Sequence, residues 1–93
     1  MKLNKDTKWD VQIGDFLYDG KYHSVFRVTN LWEGGNRNAL YLTVDFPDGR
    51  RLYGGRSSDF YGLEIVNGNS PEELYESAVS LWVELGGKDV RNG

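Results

Sequence analysis

The chain's single histidine, His23, stands between Tyr22 and Ser24. A histidine beside a serine suggests a base and its nucleophile. On a strand, however, positions i and i+1 point to opposite faces, so Ser24 is not placed to hand its proton to His23. Nucleophilic catalysis also needs a third group to orient the base, and none follows at a telling spacing. Paired carboxylates would serve general acid–base chemistry. Here the aspartates fall at turn signals (Asp15, Asp19, Asp48, Asp59) and the glutamates of the C-terminal third fall on one polar helix face. Acids occupy both kinds of place for turn-forming and capping reasons. With no cysteine and one histidine, no zinc or iron site can be assembled. Gly34-Gly35 and Gly54-Gly55 lack the lysine and the strand–loop–helix setting of a phosphate loop. The sequence therefore assigns no catalytic, metal or cofactor-binding residue, and the expected role is non-enzymatic.

A different chemistry is legible between Ala39 and Arg56. Leu40, Leu42, Val44 and Phe46 alternate with Ala39, Tyr41, Thr43 and Asp45, the period of a strand with one apolar face. Pro47-Asp48-Gly49 then suits a type I turn closed by a left-handed glycine. That turn fixes a register in which Asp45 faces Arg51, Val44 faces Leu52, Thr43 faces Tyr53 and Tyr41 faces Gly55. The outer face of the hairpin then carries Tyr41, Thr43, Asp45, Arg51 and Tyr53, flanked by Arg27 and His23 from the neighbouring strand. Tyrosine and arginine dominate binding hot spots because each offers broad contact area with a polar tip. Tyr41, Arg51, Tyr53, Arg27, His23 and Asp45 are therefore the candidate partner-binding residues. The same side chains also make ordinary cross-strand pairs that stabilise an exposed sheet face.

These residues need a scaffold. Residues 1–8 show no period and are expected to form a mobile arm. Trp9, Val11 and Ile13 alternate as a short extended lead-in, Gly14-Asp15 breaks it, and Phe16-Leu17-Tyr18 runs to a turn at Asp19-Gly20. Tyr22–Trp32 reads as a long strand whose even positions, Trp32 included, face inward. A flexible loop over Glu33–Asn38 leads into the hairpin. Ser57-Ser58-Asp59 reads as a turn or 3₁₀ step, and Phe60–Val66 as a last short strand. From Ser70 the period changes. Ser70-Pro71-Glu72-Glu73 has the form of a capping box with proline at the first helical position. Leu74, Ala78, Leu81, Trp82 and Leu85 then form one apolar stripe. The helix is expected over 71–85, ended by Gly86-Gly87, with residues 88–93 frayed.

The fold class expected is α+β: a small curved antiparallel sheet or barrel of four to five strands, followed by one amphipathic helix packed on it. The element order is similar to that of Src-homology and Tudor barrels. Gly54-Gly55 favours curvature. The helix stripe is expected to close the core over Leu42, Val44 and Leu52.

The chain has 93 residues, the size of one domain over 1–93. Without cysteine, an apolar run of membrane length or a signal-peptide core, it reads as a soluble cytoplasmic protein. Net charge is −3, divided unevenly: residues 27–56 carry a balance of +2 and residues 57–93 a balance of −5. Short, acidic, aromatic-rich, cysteine-free chains are similar in composition to phage and mobile-element inhibitors such as the anti-CRISPR proteins. The expectation is a protein-binding module or inhibitor acting on a host protein in a bacterial or phage-infected cell. The alternative is a nucleic-acid-binding barrel using arginine and tyrosine, which an acidic chain supports less well. A small enzyme comes third.

Overall fold

The hairpin signal at Pro47-Asp48-Gly49 lies at the tip of an antiparallel meander. In the computed structural model, which describes residues 1–35 and 38–92, the strands are β1 (Phe16–Asp19), β2 (Ser24–Glu33), β3 (Leu40–Asp45), β4 (Arg51–Arg56) and β5 (Glu64–Val66). They form one open sheet in the order β4-β3-β2-β1-β5, antiparallel throughout. The helix α1 (Glu72–Glu84) follows. The fold is thus α+β with an open sheet, and the closed barrel is not formed. Asn36 and Arg37, inside the expected loop before β3, and Gly93 in the expected frayed tail lie outside the described residues.

The sheet buries both faces, by different means. On one face, Leu17, Val28, Leu42, Val44 and Ile65 form the larger core. Its lid is not the helix. Leu3 and Val11 from the N-terminal segment and Phe60 from the 3₁₀ helix Ser57–Phe60 close it, and Phe60 packs edge-on against Phe26 at 5.7 Å. On the other face α1 lays Ala78, Val79, Leu81 and Trp82 against Phe16, Val25 and Val66. The stripe does not reach Leu42, Val44 or Leu52, and Leu52 is left at an exposed rim. Val25, on an "outward" position of the long strand, is buried by the helix.

Several local expectations change. The N-terminal residues are not a free arm: Leu3 N–H donates to Leu63 O at 2.8 Å, Ile65 N–H donates to Met1 O at 2.9 Å, and Leu3 is fully buried. Residues 8–10 are 3₁₀ rather than extended. The last strand is only Glu64–Val66, because the 3₁₀ helix takes in Phe60 and residues 61–63 form a turn. The tail is tied down, since Val90 packs on the helix-side core and Arg91 pairs with Glu76 and Asp89. No capping box forms at α1. The Ser70 hydroxyl instead accepts from Asn67 N–H at 3.0 Å, closing the preceding turn. At the other end Gly86 does adopt the left-handed conformation, with φ +110°, and Gly87 N–H donates to Trp82 O at 2.9 Å.

Candidate functional site

Register places the candidate residues. One cross-strand row runs Val66, Phe16, Arg27, Asp45, Arg51 over all five strands. Because α1 covers only the β5–β1–β2 side of this face, the row starts beneath the helix and ends in the open. Val66 and Phe16 are buried, Arg27 and Asp45 are half-buried and Arg51 is exposed. The Arg27 guanidinium lies 5.6 Å from the Phe16 ring centroid, and Phe16 meets Trp82 edge-on at 5.5 Å. Arg51 Nε and Nη2 donate to the two Asp45 oxygens at 2.5 and 3.1 Å. Its guanidinium also lies 5.8 Å from the Tyr53 ring. The Arg51 hydrogen bonds hold the Asp45 carboxyl below the usual aspartate range, against slight desolvation, with Arg27 adding to the effect. The same bonds push the Arg51 pKa further up.

The Asp45/Arg51 and Val44/Leu52 pairs form as the turn predicts, but the register then slips. β4 bulges, so that Tyr53 and Gly54 together oppose Thr43, and Tyr41 faces Arg56 instead of Gly55. Gly54 sits at φ +65°, a left-handed conformation that glycine adopts without steric cost. A second bulge lies in β2 between Val28 and Asn30. It reverses the facing of every later residue in that strand. Trp32, expected inside, therefore lies on the open face, 42 % exposed. Its ring stacks on Tyr41 at 6.1 Å and 17° and covers the bare backbone of Gly54. The space left by Gly55 is filled from the opposite face by Leu52 and Phe60.

The structure thus unites Arg27, Asp45 and Arg51 in one row, with Tyr53 two residues further along β4 and Tyr41 four positions back along β3 beside Trp32. It does not bring His23 to them. His23 lies in the β1–β2 turn with φ +51°, outside the strand, in a shallow depression with Pro47, Arg50 and Leu85. The strand was read as beginning at Tyr22, just after the Asp19-Gly20 turn, which made His23 its second residue. In fact Asp19 Oδ1 accepts from Lys21 N–H at 2.9 Å and prolongs the turn.

Beside the row runs a groove of about 690 Å³ between the C-terminal end of α1, the β2–β3 pair and the loop before β1. Arg27, Asp45, Trp82, Lys88 and Ile13 line it. Trp32, Trp82, Ile13 and Lys88 were outside the candidate set. Trp82 was legible only as helix stripe, Ile13 only as part of the extended lead-in and Lys88 only as tail. Among the described residues no cluster of three or more His, Cys, Asp or Glu is placed to hold a metal ion, and no helix is long and apolar enough to cross a membrane. No protein family, curated protein or solved structure matches the chain.

Proposed function

We propose that this protein is a non-enzymatic binding module that docks another protein on the open half of its helix-side sheet face. The observation that carries the reading is the partial cover. The helix shields β5, β1 and the start of β2, and leaves Trp32, Tyr41, Arg51 and Tyr53 grouped on a rigid sheet, with Tyr53 74 % exposed. Aromatics and arginine held on a sheet lose little conformational entropy when a partner arrives. Arg51, the arginine of the open face, is less suited to phosphates because it already gives two N–H groups to Asp45, which supports a protein partner over nucleic acid. The narrower form of the proposal, an inhibitor carried by a phage or other mobile element and acting like an anti-CRISPR on a host protein, draws its support from composition.

A photocrosslinking residue at position 53, compared with one at Glu73 on the exposed side of α1, tests the reading in bacterial lysate. A discrete protein adduct from position 53 and not from 73 is expected, and Arg51→Glu should suppress it. Adducts from neither position, or from 73 alone, would sink the proposal. A gel shift with nucleic acid that weakens steeply with salt would favour the alternative.

A further inference from the structure

The groove beside the open face has a charge balance that its residue names conceal. It is lined by two acids, Asp45 and Asp48, and two cations, Arg27 and Lys88. Each acid is already claimed from outside the groove lining. Both oxygens of Asp45 accept from Arg51, and Asp48 Oδ2 accepts from Arg50 Nε at 2.8 Å. Asp89, next in sequence to Lys88, is held through both oxygens by Arg91. Among the described residues, neither Arg27 nor Lys88 makes an ion pair. The groove therefore carries an excess of positive charge: Asp45 feels Arg27 across the strands but is paired at close range with Arg51, and among the described residues neither Arg27 nor Lys88 is held in an ion pair of its own. Trp82 and Ile13 add apolar surface to the same lining. Ile13 is an exposed large hydrophobic residue.

We propose that this groove receives a short acidic segment of the partner protein, a Glu or Asp carboxylate between Arg27 and Lys88 with an apolar neighbour against Trp82 and Ile13. The inference rests on the protein-binding reading and names the chemistry of what is bound. Arg27 is the better-fixed of the two cations, because its guanidinium lies against Phe16 and sits mid-strand, so it can present a planar fork to a carboxylate. Lys88 follows the glycine pair at the helix end and is exposed, so it can close over the bound group. The groove's volume falls in the range of small-ligand sites, roughly 300–1,000 Å³, and suits a few side chains rather than a whole surface.

The test uses two fluorescein-labelled peptides titrated by anisotropy into the full chain: one alternates leucine with glutamate, and the other replaces each glutamate by glutamine. The acidic peptide should bind at least about ten-fold more tightly than the amide version, and its binding should weaken as salt is raised. Lys88→Glu, at an exposed position outside the strands and α1, should abolish that preference without changing the melting temperature. Arg27→Gln should do the same, with its melting temperature read alongside because Arg27 also packs on Phe16. Equal binding of the two peptides, or a preference untouched by Lys88→Glu, would overturn the inference. If the position-53 adduct persists with undiminished yield in Lys88→Glu, the open face binds without the groove and only this inference fails. If the acidic peptide binds as expected but no adduct forms at position 53, the groove stands and the sheet-face reading fails.

Discussion

Thr43 is the residue about which the open face is organised, although its own side chain is buried. Both bulges occur where β2 and β4 pass it. Thr29 Oγ1 donates to its carbonyl at 3.2 Å, and Gly54 N–H donates to its hydroxyl at 3.3 Å. Thr43→Val keeps the shape and leaves the Gly54 N–H without its acceptor, so the expected cost is about 1 kcal/mol, read from urea unfolding. The two unusual carboxyls give a second prediction at this scale. Asp15 is buried, and desolvation raises its pKa although Gln12 N–H and the Asn67 amide partly offset this. Asp45 is lowered by Arg51. The signs therefore oppose. The Asp45 contribution is complete above the ordinary aspartate range and is lost as pH falls through its depressed pKa. Asp15 instead disfavours the folded state as pH rises from the ordinary range through its raised pKa. Carboxyl-carbon NMR titration should place the Asp15 midpoint above, and the Asp45 midpoint below, the usual value near ~3.9.

At the scale of elements, legibility followed local chemistry. The β3–β4 turn was readable because proline, aspartate and glycine each suit one turn position, and the Asp45/Arg51 pair followed from it. The helix was readable from Leu74 to Leu85 because its stripe persists over several turns. What failed was anything set by pairing at a distance. A bulge depends on the neighbouring strand, so nothing around Thr29 announced it, and Trp32 was turned the wrong way as a result. Only Gly54 marked its own bulge, and it was read as general curvature. The helix was assigned to the wrong face because both faces of β2 carry apolar residues. Val25, on the less clean side of that strand, was the available hint. The helix end offers a test of packing. A Cβ at Gly87 would overlap three atoms of the Trp82 indole, a large, rigid and buried side chain that cannot swing aside. Gly87→Ala should therefore destabilise by about 1–3 kcal/mol, whereas Gly68→Ala, with open space around it, should stay within ~0.5 kcal/mol. Thermal melts of the two variants separate a packing effect from a generic loss of glycine.

At the scale of the molecule, the face of the sheet that α1 does not cover is closed by segments that carry no strand or helix period of their own. The C-terminal strap is polar. Arg91 holds Glu76 on α1 and Asp89 in the tail, and its side-chain hydrogen bonds, with its backbone N–H, lower the Asp89 carboxyl to about 2. The clamp should thus be complete above the ordinary aspartate range and fade as pH falls towards about 2, which carboxyl NMR of Asp89 would follow. The N-terminal strap is apolar and should matter more. Leu3 has no exposed surface and packs with Leu17, Val28, Val44 and Ile65 in the larger core, which α1 does not cover. Its backbone is fixed on both sides, by N–H donation to Leu63 O and by accepting from Gly62 N–H, each at 2.8 Å. The segment cannot easily slide to fill a void. Leu3→Ala should therefore cost about 2–5 kcal/mol, and in a domain of this size each kcal/mol lowers Tm by roughly 4–8 °C. Tyr53→Ala, on the open face, should leave Tm nearly unchanged while removing partner contact. Equal and small Tm shifts for the two variants would mean that the N-terminal segment is no part of the core. A large loss from Tyr53→Ala would mean that the open face supports the fold rather than a partner.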